Sequence, residues 1–435
     1  MNEPLLIVLT VLLVIGVAIA TVFIVRRQRW KGRVRELGWT FESSPSLAPV
    51  LPLANPPFDL GFDRRTDELI TGRTASGRPF AVFDYSYGGT GERRLALVKL
   101  PMPLPELYLT ASGPRAGVTE PPIDLGPGVP FQVLGADPGY ARAVVTPGLV
   151  QAVDRLGRPP GAEPQPIDLS VDGDNLVSSG APKDPDELRG YLDRLDAVAA
   201  TFDPAALAPY RIVPKPPRLG FHGTDWTLVG TDNSLIDRFQ GLRPFGQGHG
   251  WSTSNVIVGT ARGTVPLVAF VYHWKTTHTR TVSDGKGGTR TERYTRSHQQ
   301  PIMALNLPVH TPSLTIASDG AFSGLFGSGS IDFESSAFND LFDVTSDHPK
   351  FAHDVVHPRM MEFLIWAKPP QLIMTRGMLI TYPGVHDPTA VSRLADLMTS
   401  FLGRIPEFVW DDLGAAPPVP APPAGPDAAA DPMLR

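Results

Sequence analysis

Three histidines, His348, His353 and His357, stand within a ten-residue stretch, with Asp347 and Asp354 beside them. His353 and His357 are four apart, a spacing that puts two side chains on one helix face. Imidazoles and carboxylates gathered this way are the donor set of a zinc-type centre. Two points weigh against it. His357 precedes Pro358, and a residue before proline is biased out of helical geometry. A metal site also needs hydrogen-bonded support around its ligands, which spacing does not supply. Asp168, Asp172 and Asp174 alternate like calcium ligands, but they lack the loop length and closing Glu of an EF-hand and read as hairpin-turn residues. Ser170, Ser178 and Ser179 have no Gly-x-Ser-x-Gly context, and residues 324–329, GLFGSG, hold no dinucleotide fingerprint. The chain has no cysteine, which excludes thiol catalysis, disulfides and Cys-based zinc sites. No catalytic residue, cofactor or metal ligand is assigned on these grounds.

Two basic groups remain. Residues 275–298 read KTTHTRTVSDGKGGTRTERYTRSH, with Lys275, Arg280, Lys286, Arg290, Arg293 and Arg296 set against Asp284 and Glu292. Strand-like alternation flanks the turn sequence Asp284-Gly285-Lys286-Gly287-Gly288, which predicts a hairpin. The Thr/Arg pattern offers almost no apolar face, so the hairpin is expected to project, with little of it in a core. One reading is a solvated hairpin whose charges keep its edges soluble. The other is a basic arm that touches anionic lipid or an acidic protein partner. A phosphate-cradling loop is disfavoured because the Gly-x4-Gly-Lys-Ser/Thr spacing is missing. The second group, Arg26, Arg27, Arg29, Lys31, Arg33 and Arg35, follows an apolar run and is a second candidate for lipid contact.

That apolar run, residues 5–25, contains no charge. About 20 apolar residues suffice to cross a bilayer as a helix. Asn2 and Glu3 precede the run and no Lys or Arg does, so the charge asymmetry predicts a retained single-pass anchor in the plasma membrane, with the remainder on the cytoplasmic side. A cleaved signal peptide would carry a basic start, and this one is acidic. Trp30 is expected in the interfacial aromatic belt. Net charge is −5, which argues against a general nucleic-acid surface.

The elements behind the anchor repeat. Residues 69–87, LITGRTASGRPFAVFDYSY, are echoed by residues 256–274, VIVGTARGTVPLVAFVYHW. Trp39, Gly72, Pro79, Phe83, Tyr85 and Tyr87 answer to Trp226, Gly259, Pro266, Phe270, Tyr272 and Trp274 at a constant separation of 187. Further on, Phe131, Val133, Pro138, Val144 and Pro147 answer to Phe342, Val344, Pro349, Val355 and Pro358 at a separation of 211. Much of the change in separation is the basic segment, inserted after Trp274. Matching Gly, Pro and aromatic positions set backbone shape and core, so they indicate a duplicated fold; no polar set recurs with them. The expected class is α+β: two tandem modules, each a mainly antiparallel sheet with two helices, behind one N-terminal transmembrane helix. The boundaries are an anchor over residues 1–25, a basic segment over 26–37, a first module over 38–210 and a Pro-rich linker over 211–222. A second module covers 223–413, and a disordered Ala/Pro tail 414–435.

In the second module, Phe322-Ser323-Gly324-Leu325-Phe326, then Phe342-x-Val344-x-x-Asp347, Ala352, Pro358 and Met361 through Leu364, resemble a bacterial family of membrane-associated proteins carrying a domain of unknown function. The match covers residues 321–382, and more loosely residues 123–178 through Phe131, Val133, Asp137, Ala141, Thr146-Pro147 and Leu149. This chain departs from the pattern at His348, where the family is acidic. The resemblance implies membrane association and no activity. Two function classes follow: a non-enzymatic binding or scaffold protein, which is preferred, and a membrane-anchored hydrolase or metal enzyme built between the modules around His348, His353 or the basic hairpin.

Overall fold

The computed structural model describes residues 21–420, apart from residues 23, 112, 114–116, 161–162, 215–216, 222, 284–288 and 319–329. The chain divides into two units between Arg218 and Leu219.

The first unit begins with α1, residues 24–36. It continues through β1 (Thr40–Glu42), β2 (Arg65–Arg73), β3 (Pro79–Ser86), β4 (Arg93–Thr110), β5 (Gln132–Leu134), α2 (Pro138–Val144), α3 (Pro147–Gly157), β6 (Asp168–Ser179), α4 (Pro185–Ala199) and α5 (Pro204–Leu207). Helices α2 to α5 all start on proline, whose fixed φ suits the first turn and whose missing N–H is not needed there. Each is preceded by a capping side chain: Asp137, Thr146, Asp184 and Asp203 accept from free first-turn amides. The strands form one antiparallel sheet in the order β1-β2-β3-β4-β5, with β6 also on β4. The start of β4 pairs with the end of β6, and the end of β4 pairs with the start of β6 and with β5. Apolar stripes of α2, α3 and α4, including Tyr140, Leu149, Leu188 and Leu195, share one core with Val98, Leu107 and Leu176 of the sheet.

The second unit runs β7 (Thr227–Gly230), α6 (Ser234–Arg238), β8 (His249–Ala261), β9 (Val265–Ser283), β10 (Thr289–Asn306), β11 (Leu314–Ser318), α7 (Ser336–Asn339) and β12 (Phe342–Ser346). Then come α8 (Pro349–Val355), α9 (Pro358–Ala367), β13 (Leu372–Thr375), β14 (Met378–Thr381), α10 (Pro388–Leu402) and α11 (Glu407–Asp412). Its sheet has the order β12-β11-β13-β14-β10-β9-β8-β7. Here β10 pairs with β14, and β11 pairs with β13 and β12. That is the pairing scheme of the first sheet with β4 cut into β10 and β11, and β6 into β13 and β14. The repeated glycines have a packing reason. A Cβ on Gly72 would sit 2.6 Å from Cδ1 of Trp39, and one on Gly259 would sit 2.6 Å from Cδ1 of Trp226. Only glycine lets the indole come this close to the strand.

Three expectations are corrected. Each unit carries more than two helices, α1–α5 in the first and α6–α11 in the second, because connections between strands coil into short helices, several of them started by proline. Among the described residues no helix is long and apolar enough to cross a membrane, so the transmembrane anchor and the single-pass plasma-membrane placement are not supported. Most of the expected anchor, residues 5–20 and 23, lies outside the described residues. The third correction concerns the helix that follows. Trp30 is not left for a lipid interface: its indole Nε1 donates to Lys183 O at 2.8 Å and its ring meets Phe41 edge-on at 4.9 Å. Arg33 reaches Asp186, with Nη2 at 2.6 Å from Oδ1, and Val34 is fully buried. The basic segment is thus the docked first helix of the first unit. Of the expected tail, residues 421–435 lie outside the described residues, and Val419 is buried.

Candidate functional site

Strands β9 and β10 pair without a break from Leu267–Leu305 out to Ser283–Thr289. β8 accompanies β9 only as far as His249 opposite Lys275, and β14 covers β10 only over Met303–Asn306. Beyond Lys275 the two strands are a two-stranded ribbon, residues 276–283 paired with 289–296. Gly248, at φ 62°, permits the parting: a Cβ there would collide with the carbonyl of Lys275.

Strand alternation sorts the ribbon into two faces. One continues the buried face of the sheet. Phe270 and Tyr272 are fully buried there, against Phe239 at 5.3 Å and Phe245 at 4.3 Å respectively. The same face then runs outward as a stack. Tyr272 lies on Trp274 at 5.4 Å, Trp274 on His298 at 5.1 Å, and His278 on Tyr294 at 5.5 Å. Thr276 Oγ1 joins the two imidazoles, 2.7 Å from His298 Nε2 and 2.8 Å from His278 Nε2. At the outer end the Arg280 guanidinium sits 5.7 Å from the Tyr294 ring centroid and pairs with Glu292 at 2.8 Å. Cross-strand ring pairs contribute about 0.5–1.5 kcal/mol each beyond their buried area. They stiffen a ribbon that backbone pairing alone would leave marginal. The opposite face carries Thr277, Thr279, Thr281, Thr291 and Thr295, together with Lys275 and Arg293.

Of the basic residues expected on the hairpin, Arg280, Arg290 and Arg296 lie on the ring face and Arg293 on the threonine face; Lys286 lies outside the described residues. Arg280 is neutralised by Glu292. Among the described residues Lys275, Arg290, Arg293 and Arg296 have no carboxylate partner, and all four are exposed. The other basic group belongs to α1. Arg26, Arg27 and Arg29 are exposed, Lys31 Nζ lies 5.3 Å over the Phe41 ring, and Arg27 borders a cleft of about 330 Å3 with Trp30 and Glu68.

The ring ladder was missed by a reading that counted threonines and arginines. Its signal is the even spacing of Phe270, Tyr272, Trp274 and His278 on one strand and of Tyr294 and His298 on the other. Only pairing in register turns these into stacks.

The candidate metal histidines disperse. His348 precedes α8 and is exposed, the His353 ring packs on Phe333 at 4.9 Å, and His357 Nε2 lies 3.0 Å from Arg404 O. Among the described residues no group of three or more His, Asp or Glu side chains is placed to hold a metal ion. The acidic triplet also separates. Asp168 accepts from Ala111 N at 3.1 Å, and Asp174 pairs with Lys99 at 2.8 Å. Asp172 Oδ2 accepts from Ala54 N and Asn55 N, both at 2.9 Å. Burial of Asp172 outweighs these two bonds and pushes its carboxyl up to about 7. A serine also meets an imidazole: Ser254 Oγ lies 2.7 Å from His273 Nε2, whose imidazole burial holds below its ordinary range.

No family model matches the chain, and no curated protein matches it. A solved structure, the crystal structure of the mycobacterial trehalose monomycolate transport factor A, TtfA, is similar over 43% of this chain and 97% of that chain, at 14% identity and a TM-score of 0.32. A likeness at that level carries no argument about this chain.

Proposed function

We propose that this chain is a non-enzymatic binding protein whose β9–β10 arm docks an acidic protein partner. The observation that carries the reading is the arm itself. It is an exposed ribbon on which, among the described residues, four cations lack a carboxylate, held in one geometry by a stack of rings that grows out of the core. The chain as a whole is negative at −5, so the arm's positive charge is opposite in sign to the whole. Arginine forks suit carboxylates bidentately, and exposed Trp, Tyr and Arg are the residues on which protein interfaces concentrate their affinity. A ribbon stiffened before binding also loses little entropy on docking.

The test is binding of fluorescently labelled poly-L-glutamate to the full chain at low salt. Replacing Arg290, Arg293 and Arg296 together by Gln should weaken binding by about tenfold or more. Added salt should have the same effect on the unaltered chain. Unchanged affinity in the triple variant would remove the arm from consideration.

A hydrolytic reading would rest on Ser254 and His273. Labelling of the unaltered chain, but not of Ser254→Ala, by a serine-directed fluorophosphonate would establish it.

A further inference from the structure

A separate positive cluster lies where β10 ends and the β13–β14 turn passes. Arg376 and Gly377 are the two central residues of that turn, at φ 50° and 72°, the positive pair of a tight type I′ hairpin. The turn holds the Arg376 side chain at the tip of the hairpin, and its Nη1 donates to Gln240 O at 2.7 Å. Arg238, at the end of α6, donates from Nη2 to Oδ1 of Asn306. Both arginines, Asn306 and His310 line one cleft of about 350 Å3, and no carboxylate is among its lining residues. Among the described residues neither arginine is in an ion pair. The first unit handles the matching place differently. Lys99 holds the position that Asn306 holds in the repeat, and its charge is met by Asp174 at 2.8 Å. The counter-charge built into the first unit is missing from the second.

We propose that this cleft binds a small oxyanion, a carboxylate or a phosphate, clamped between Arg238 and Arg376 with His310 at its rim. Each guanidinium has five N–H donors in a planar fork, and the bonds to Gln240 and Asn306 each use one while fixing the fork's direction. The donors that remain match the oxygens of a carboxylate or phosphate. The cleft's volume suits a small molecule. This inference does not depend on the arm.

Calorimetric titration of the full chain with inorganic phosphate, and separately with succinate, tests it. Arg238→Gln and Arg376→Gln should each weaken binding of whichever anion binds by about tenfold or more. Arg142→Gln, an exposed charge on α2 in the first unit, and the triple arm variant should bind as the unaltered chain does. Arg376→Lys keeps the charge without the fork, and an intermediate loss there separates charge from geometry if Arg376→Gln proves unstable. Absence of binding for both anions at millimolar concentration would overturn the proposal. So would full affinity in Arg238→Gln.

Discussion

The two sheets share an order of pairing and differ at their ends. Between β3 and β4 the first sheet turns within residues 87–92, whereas the matching connection in the second sheet is the arm. In each unit a loop before the second strand is latched with opposite polarity to a late element of the sheet, β6 in the first and the β13–β14 turn in the second. In the first unit the buried Asp172 carboxylate accepts from the amides of Ala54 and Asn55; in the second the Arg376 guanidinium donates to the carbonyl of Gln240. Where an indole lies against a strand, by contrast, the close approach is shared: a Cβ on Gly72 or on Gly259 would sit 2.6 Å from Cδ1 of its tryptophan. The difference teaches that close packing holds a position to one residue type, while a strand end, bounded by solvent, is free to change length and sign. The positions that changed are the ones with charge left over.

The shared core is the part easiest to break. Phe83 and Phe270 are fully buried at matching positions, Phe83 near Phe58 and Phe270 between Phe239 and Phe245. Truncating either to Ala should cost about 3–5 kcal/mol in chemical denaturation. A cost near zero at one position and large at the other would show that the two cores are not equivalent.

The latches should differ in their response to pH. Asp172 has a folded-state pKa of about 7 against 3.8 for the free side chain, raised by burial first and then by Glu106 and Asp59, against the two amide bonds. The native state therefore holds a proton that the unfolded chain has released. The stability this contributes is present in full below pH 4 and is lost as pH rises through about 7. At about 1.4 kcal/mol per pH unit it amounts to about 4 kcal/mol at most. Asp172→Asn should flatten the dependence of melting temperature on pH between 4 and 8, whereas Arg376→Gln should leave that dependence in place. A pH profile unaltered in Asp172→Asn would deny the first latch its titrating group.

Gly72→Ala and Gly259→Ala sharpen the comparison where the units agree. Each adds a methyl 2.6 Å from an indole carbon, which forces the ring or the strand to move. Overpacking of this kind costs about 1–3 kcal/mol. Similar losses at both sites are expected, and a neutral result at either would mean that its tryptophan is loosely held.

The smallest effect is expected from the arm. Replacing residues 277–297 by a short turn should alter unfolding free energy by less than about 1 kcal/mol, since its ion pair and stacked rings lie in solvent beyond the core. A larger loss would make the ring stack part of the second unit's stability rather than a rigid display.

Much of the frame was legible locally. Asp137-Pro138, Asp184-Pro185 and Asp387-Pro388 mark helix starts because cap and proline act within one turn of the chain. The alternation around Arg262-Gly263 marks a hairpin, and the Trp and Gly separations mark the repeat, because strand faces and close contacts recur at set intervals. The site was less legible. Basic residues of the arm could be counted, but the ring stack exists only because His298 falls opposite Trp274 and Tyr294 opposite His278, a matter of register between two strands. Arg238 and Arg376 are far apart in the chain and meet at one cleft only after β14 has paired with β10. The same physics misled the sequence reading at Trp30, and it places the three histidines, which spacing alone left open, apart from one another. Composition says what a residue is able to touch, and only the folded chain decides which neighbour reaches it first: Lys183 and Phe41 for Trp30, Phe333 for His353 and Arg404 for His357.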